Sequence, residues 1–180
     1  MKIWPNKTIL IMTICISALF CISLFSQNKQ DAPKPQTTNP SAKGTAMPTV
    51  AKGTFDVKIA PLKPYEDTEG ANLGRMSIDK QFHGDLEAVS KGEMLTGGSY
   101  AKGSAGYVAI ERVNGKLNGR TGTFIFQHTG TMDHGNLSLS VTVIPDSGTG
   151  ELVGLSGKMN IIIEGGKHFY EFEYSLGEKH

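Results

Sequence analysis

From residue 51 onward, apolar and polar residues alternate with the two-residue period of β-strands. Successive side chains of a strand point to opposite faces of the sheet, so each alternating set shares one face. Two runs are clearest. In 137–143 we expect Leu137, Leu139, Val141 and Val143 to face the core, with serine and threonine outward. In 168–176 we expect the face with Tyr170, Phe172 and Tyr174 to be inward, and Glu171 and Glu173 to lie in solvent.

Glycine, asparagine and aspartate separate these short runs, and 21 of the 22 glycines lie in residues 51–180. No window of helical length has apolar residues at three-to-four spacing without an interrupting glycine. The pattern predicts an all-β fold, either a sandwich or a closed antiparallel β-barrel of about eight strands. The predicted strands are 53–60, 74–83, 86–96, 104–113, 121–130, 137–145, 158–164 and 168–176, with 150–153 as a short additional candidate.

The stretch 103–133 predicts a strand, a turn and a second strand. Asn-Gly is a strong signal for a tight hairpin turn, and we expect Asn114-Gly115 to form the bend.

The segment before residue 51 predicts export. Residues 1–26 have basic residues followed by the apolar run Ile9–Phe25, the plan of a secretory signal peptide. Cleavage after Ser26 or retention of 9–25 as an inner-membrane anchor are the two alternatives, so the domain is expected to be periplasmic or secreted. Both cysteines, Cys15 and Cys21, lie in this segment. The mature protein is therefore expected to have no disulfide and no cysteine-ligated metal.

Residues 27–50 are rich in proline, threonine and lysine and predict a disordered linker, because they lack the apolar side chains that would offset the entropy of ordering. Residues 51–180 then form one domain with a single core. This domain contains 13 basic and 16 acidic residues, a net charge of −3. With no basic stripe, nucleic acid is not an expected partner.

Glu111 is the first candidate for a catalytic residue, because a carboxylate inside a barrel can act as a base or hold the polar head of a ligand. Its face also carries Tyr107, Ala109 and Val113, whereas the opposite face of the same strand carries Arg112. If the second face were inward, Arg112 would be the charge in the lumen and Glu111 an exterior residue with weak contacts.

The remaining candidates form an aromatic and polar set that could line a cavity in the barrel. Gln127 and His128 have opposite parity, and a histidine after two phenylalanines is more often a core or rim residue than a ligand. Eight strands are also just wide enough for side chains to fill the interior, so an open and a filled lumen both remain. The candidate ligand-binding residues are Tyr107, Glu111, Phe124, Phe126, Gln127, His128, Tyr170, Phe172 and Tyr174.

No metal site is predicted. His83, Asp85 and Glu87 would share one face of a continuous strand, but Gly84 predicts a bend between them, and nothing elsewhere completes a set of three zinc ligands. A serine-hydrolase elbow and a phosphate-binding glycine loop are absent from the sequence as well.

Several longer motifs resemble the bacterial family catalogued as domain of unknown function 3224. They are Phe82-His-Gly-Asp-Leu-Glu-Ala, Gly92-Glu-Met-Leu, Gly106-Tyr-Val-Ala-Ile-Glu-Arg-Val, Gly130-Thr-Met-Asp, Val143-Ile-Pro-Asp-Ser-Gly-Thr-Gly-Glu-Leu and Gly154-Leu-Ser-Gly-Lys-Met. The resemblance covers Thr54 to Leu176. It implies a closed antiparallel barrel similar to that of plant allene oxide cyclases, and it transfers no catalytic residues.

Three functions are open at this point. The expected one is an exported module that binds a small, mostly apolar molecule in the barrel, without a cofactor. The alternatives are a cofactor-independent isomerase or cyclase acting on such a ligand, and a filled barrel that serves as a structural or interaction domain. The fold analogy also allows a homo-oligomer, and a membrane is expected only through the N-terminal segment.

Overall fold

The structure is a computed structural model that describes residues 48–66, 68, 70 and 72–177. It is a closed antiparallel barrel, so the predicted all-β fold and the barrel alternative are confirmed. The predicted signal or anchor at 1–26 and nearly all of the predicted linker at 27–50 lie outside the described residues. The strands are β1 (Thr49–Leu62), β2 (Leu73–Gly84), β3 (Leu86–Ser99), β4 (Ser104–Leu117), β5 (Arg120–Asp133), β6 (Asn136–Val143), β7 (Leu155–Glu164) and β8 (Lys167–Leu176).

Each strand pairs with the next along the chain, and β8 pairs with β1 to close the barrel. The up-and-down order gives the barrel two distinct ends. We call the closed end the one with the β2–β3, β4–β5 and β6–β7 connections, where β1 begins and β8 ends. The open end has the other four connections. Seven of the eight strand pairs are in register over seven or more positions, whereas β6 and β7 pair only at Thr142 and Lys158.

The hairpin between β4 and β5 bends at Asn118-Gly119, so the prediction of a bend at Asn114-Gly115 was wrong. Both turn residues have positive φ, 47° and 80°, as the two-residue hairpin turn requires. Gly115 serves another purpose inside β4. A Cβ on it would lie 2.6 Å from the Cβ of Ala88, so glycine lets two neighbouring strands approach closely.

The prediction of a short strand at 150–153 was also wrong, since Gly150–Leu152 forms a single 3-10 turn. This turn closes one end of the barrel. Leu152 is 1% exposed and belongs to the core, and Thr149 accepts a hydrogen bond of 3.0 Å from the backbone N–H of Thr123. The segment therefore covers the closed end of the barrel with Leu152 and is not a ninth strand.

The hydrophobic core fills the closed half of the lumen. Phe124, Phe126 and Phe172 pack at ring-centroid distances of 4.9 to 5.9 Å and are at most 1% exposed. Tyr170 accepts a hydrogen bond of 2.8 Å from the N–H of Leu86, which ties β8 to the β2–β3 turn. The inward orientation predicted for Tyr170, Phe172 and Tyr174 is confirmed.

The prediction for β6 was half wrong. Val141 and Val143 are buried, but Leu137 and Leu139 are 62% and 45% exposed although they share the inward face. The reason is position, since these two leucines lie beyond the core, towards the open end. Among the described residues, no helix has the length and apolar character needed to cross a membrane.

Candidate functional site

A cluster of four polar side chains lies inside the barrel, one from each of four consecutive strands. Lys80 comes from β2, Ser90 from β3, Glu111 from β4 and His128 from β5. Lys80 and Ser90 are cross-strand neighbours, and the four positions continue the inward alternation of the core residues below them. We call these four residues the polar cluster.

Glu111 is the centre of the polar cluster. Its Oε2 accepts a hydrogen bond from Lys80 Nζ at 2.6 Å and lies 2.9 Å from His128 Nε2. Its Oε1 accepts a short hydrogen bond from the Ser90 hydroxyl. The carboxylate thus meets a cation, an imidazole and a hydroxyl, which between them engage both of its oxygens.

The polar cluster is withdrawn from solvent. Glu111 is 0% exposed, Ser90 and His128 are each 3% exposed, and Lys80 is 8% exposed. Removing a carboxylate and an ammonium from water costs several kcal/mol per ion, so such pairs are rare unless they are well bonded. The ammonium of Lys80 also lies 5.1 Å from the ring centroid of Phe55 and 5.7 Å from that of Phe82. These distances are within the range of cation–π attraction.

The surroundings keep Glu111 ionised. Burial by itself would raise the pKa of this carboxyl group. The close contact with His128, the charge of Lys80 and the hydrogen bonds from Lys80 and Ser90 together outweigh burial and lower the pKa from 4.5 to about 2. The group therefore carries its negative charge at any physiological pH.

His128 is less well satisfied than Glu111. Its Nε2 is close enough to the carboxylate for an ion pair, but the direction does not suit a hydrogen bond. Among the residues that the structure describes, this buried nitrogen has no aligned hydrogen-bond partner. Buried polar groups are usually paired, so an unpaired one indicates a place where another group can bind.

Two glycines shape the wall around the polar cluster. Gly92 is the cross-strand neighbour of Glu111, and a Cβ there would lie 3.1 Å from the Cβ of Glu111. Gly130 is the neighbour of Tyr107, and a Cβ there would lie 2.2 Å from the Tyr107 ring. The tyrosine ring therefore packs against Gly130, on the open-end side of the polar cluster. Burial and the charge of Glu111 raise the pKa of Tyr107.

Beyond the polar cluster, the inward positions towards the open end are mainly apolar and increasingly exposed, with Thr96 on β3 and His168 on β8 as half-buried polar exceptions. We call this region the mouth. Its half-buried members are on β2 to β5, together with Ile161 on β7, and its exposed members are on β1, β6 and the end of β7. The residues of the mouth are Ile59, Met76, Met94, Tyr107, Met132, Leu137, Leu139, Ile161 and Ile163.

The structure brings three of the nine candidate ligand-binding residues together: Tyr107, Glu111 and His128. It also selects between the two faces of β4, because Glu111 is inside and Arg112 is exposed on the outer wall. Gln127 is exposed on the outer wall as well, away from the polar cluster. The other five candidates are buried in the closed half, below the polar cluster: Phe124, Phe126, Tyr170, Phe172 and Tyr174.

Lys80 and Ser90 were missed from the sequence. The signal for Lys80 was present, since Ile78, Lys80 and Phe82 alternate on one face and both neighbours are core residues. From the sequence alone, a lysine between Asp79 and Gln81 is more simply interpreted as part of a polar, solvent-exposed run. The three residues His83, Asp85 and Glu87 flank the Gly84 turn and are exposed, and among the described residues no group of three metal-ligating side chains is found.

Two grooves open on the outer wall of the barrel. One, of about 320 Å³, runs along the sparsely paired seam between β6 and β7. It is lined by the outward residues Ser140, Lys158 and Asn160 and also by the inward residues Leu139, Val141 and Met159. The other, of about 450 Å³, lies beside β1 and β8 and includes Thr54 and Phe169. Neither groove is lined by a member of the polar cluster.

Comparison with known proteins yields a family model and solved structures of high similarity. The family model described as "Protein of unknown function (DUF3224)" matches residues 51–174. A crystal structure of a DUF3224 protein of unknown function from Shewanella oneidensis MR-1 is 53% identical, with a TM-score of 0.70. The match covers 73% of this chain and 99% of the Shewanella chain. No curated protein matches the chain.

Proposed function

We propose that the barrel of this chain, a member of the DUF3224 family of proteins of unknown function, binds a small, mostly apolar molecule in the mouth. The observation that carries the proposal is a buried, charged polar cluster beneath a partly exposed apolar wall. Small-molecule sites combine a mainly apolar lining with a few converging polar groups that fix the orientation of the ligand. The apolar part of the ligand would lie in the mouth, and its polar part would reach the cluster.

The position of the polar cluster supports a binding role over a purely structural one. Buried ion pairs are often no more stabilising than apolar residues of similar volume, so they contribute little that a filled core would not. The closed half of the same barrel is filled with aromatic and aliphatic side chains. Lys80 and Glu111 lie at the boundary between this filled half and the mouth.

The low pKa of Glu111 favours a role in binding over a role as a catalytic base. A general base is most effective when its pKa is near the working pH. The pKa of Glu111 is about 2, because the hydrogen bonds and the charge of Lys80 outweigh the effect of burial. A carboxylate so strongly stabilised is a weak base, and it is better suited to holding Lys80 and His128 in place.

The proposed setting of this function is outside the cytoplasm. The support is the apolar run Ile9–Phe25 after two lysines, together with the restriction of both cysteines to that segment. Cell fractionation with an antibody against the barrel tests this. Recovery in the periplasm, the medium or the inner membrane agrees with export, and recovery in the cytosol contradicts it.

Native mass spectrometry of the purified protein, compared with the same sample after denaturation, tests the binding function. A ligand acquired in the cell would add a mass that is released on denaturation. Ala109→Leu fills the lumen beside His128, since Ala109 is inward, 3% exposed and the cross-strand neighbour of that histidine. Val108→Leu is the matched control, because Val108 is the adjacent residue on the outer wall and is 51% exposed.

We expect the added mass in the wild type and in Val108→Leu, and its loss in Ala109→Leu. Bare wild-type protein, unchanged after incubation with a total lipid and metabolite extract, contradicts the proposal. An equal added mass in all three proteins contradicts the location in the mouth.

A further inference from the structure

The geometry points to a ligand whose polar head is a hydrogen-bond acceptor without positive charge, a carbonyl or carboxylate oxygen. This inference rests on the proposed binding function and concerns the same site. Its basis is the balance of hydrogen-bond donors and acceptors in the polar cluster, which is uneven among the described residues.

The acceptor side of this balance is already occupied. Glu111 is the anionic acceptor of the cluster, and both of its oxygens are engaged, by Ser90 on one side and by Lys80 and His128 on the other. It is also 0% exposed, so a group entering from the mouth cannot reach it without displacing one of these residues.

The donor side has spare capacity. The ammonium of Lys80 has three N–H groups, and within the described part of the chain its hydrogen bonding is limited to one bond, to Glu111. The two aromatic rings near it attract the charge but do not replace a hydrogen-bond acceptor. His128 Nε2 must carry a hydrogen for its contact with the carboxylate to be attractive, and that hydrogen is not aligned with the oxygen.

The order of exposure supports the same conclusion. Lys80 is 8% exposed and His128 is 3% exposed, while Glu111 is covered completely. A polar head that descends from the mouth therefore meets Lys80 and His128 before Glu111. An oxygen atom satisfies these donors, whereas an ammonium head would place a second cation beside Lys80 with no free carboxylate to balance it.

Three ten-carbon probes test the inference: decanoic acid, 2-decanone and decylamine. Their tails are similar, and their heads are an anionic acceptor, a neutral acceptor and a cationic donor. Isothermal titration calorimetry of each probe, below its solubility limit and any micelle concentration, gives the dissociation constants. We expect decanoate or decanone to bind at least about ten-fold more tightly than decylamine, because only the two acceptors can accept a hydrogen bond from the charged ammonium of Lys80. The stronger of the two acceptors distinguishes a carboxylate from a carbonyl ligand.

Lys80→Met tests the donor directly, with Lys91→Met as the matched control. Lys91 lies on the outer wall of β3 with 87% of its side chain exposed. We expect the first variant to weaken binding of the better acceptor probe by about ten-fold or more, and the control to leave it unchanged. If Lys80→Met does not fold, the wild type supplies a second readout. The ring-nitrogen NMR signals of His128 should then shift on addition of the acceptor probe and not on addition of decylamine.

Decylamine binding as tightly as the two acceptors overturns the head-group inference while leaving a binding mouth intact. Binding of an acceptor probe without any effect of Lys80→Met and without a His128 shift overturns it as well. Failure of all three probes, together with bare protein in native mass spectrometry, instead contradicts the proposed function on which the inference rests.

Discussion

Replacing Glu111 by glutamine should change how the stability of the barrel depends on pH. Glu111 is completely buried, and its pKa is about 2 instead of 4.5. Since the folded state holds the carboxylate in its ionised form, the stabilisation is fully present above pH 4.5. It is lost as the pH falls towards 2, because the unfolded chain then binds a proton that the folded protein resists.

The magnitude follows from the two pKa values. A difference of 2.5 units corresponds to about 3 kcal/mol of unfolding free energy, at about 1.4 kcal/mol per unit. About 2 kcal/mol of this should already be lost at pH 3. Glu111→Gln should also be less stable than the wild type at pH 7, by about 3 to 5 kcal/mol, because it leaves the buried Lys80 without a charge partner.

Urea unfolding followed by far-ultraviolet circular dichroism, at several pH values between 7 and 3, measures the difference in unfolding free energy between wild type and variant. We expect that difference to shrink by about 2 kcal/mol over this range. Glu87→Gln is the control, since Glu87 is exposed on the outer wall of β3, and its difference from the wild type should stay near zero throughout. A Glu111→Gln difference that is the same at pH 7 and at pH 3 would refute the reasoning, because Glu111 would then have an ordinary pKa in the folded protein.

Two further substitutions probe the same region. Lys80→Met should destabilise the barrel by about 3 to 5 kcal/mol, because it leaves the buried carboxylate of Glu111 without its lysine partner. The double variant Lys80→Met, Glu111→Leu should recover most of that loss in urea unfolding, and a double variant no more stable than Lys80→Met would contradict a buried ion pair. Gly130→Ala should lower stability by about 1 to 3 kcal/mol through overpacking, since the new methyl group would collide with the ring of Tyr107. Gly106→Ala is its control in thermal unfolding, because a Cβ there has ordinary contacts, the nearest at 3.6 Å; equal effects of both substitutions would contradict the packing of Tyr107 on Gly130.

The architecture was predictable because the alternation of side chains repeats along all eight strands. The bend of the β4–β5 hairpin was harder, since Asn114-Gly115 and Asn118-Gly119 are the same dipeptide four residues apart. A shift of four residues preserves the inward and outward faces, so alternation could not choose between them. The pairing of Leu117 with Leu86 favours the later turn, because both side chains are then buried.

The polar cluster was predictable only in part. Glu111 and His128 could be suspected because each follows a run of residues on an inward face. Lys80 could not be assigned with the same ease, because lysines in strands are usually on the outer wall. The position of the aromatic residues along the barrel axis was the other missing element. Sequence parity shows that Phe126 and Phe172 point inward, but it does not show that they fill the closed half.

The most direct measurement for the central claim is an NMR titration of isotope-labelled protein with 2-decanone, following backbone amides. We expect the largest shifts at the polar cluster and the mouth, around Met94, Tyr107, Ala109 and His128. Shifts concentrated along the groove between β6 and β7, around Ser140 and Asn160, would contradict it and place the binding site on the outer wall.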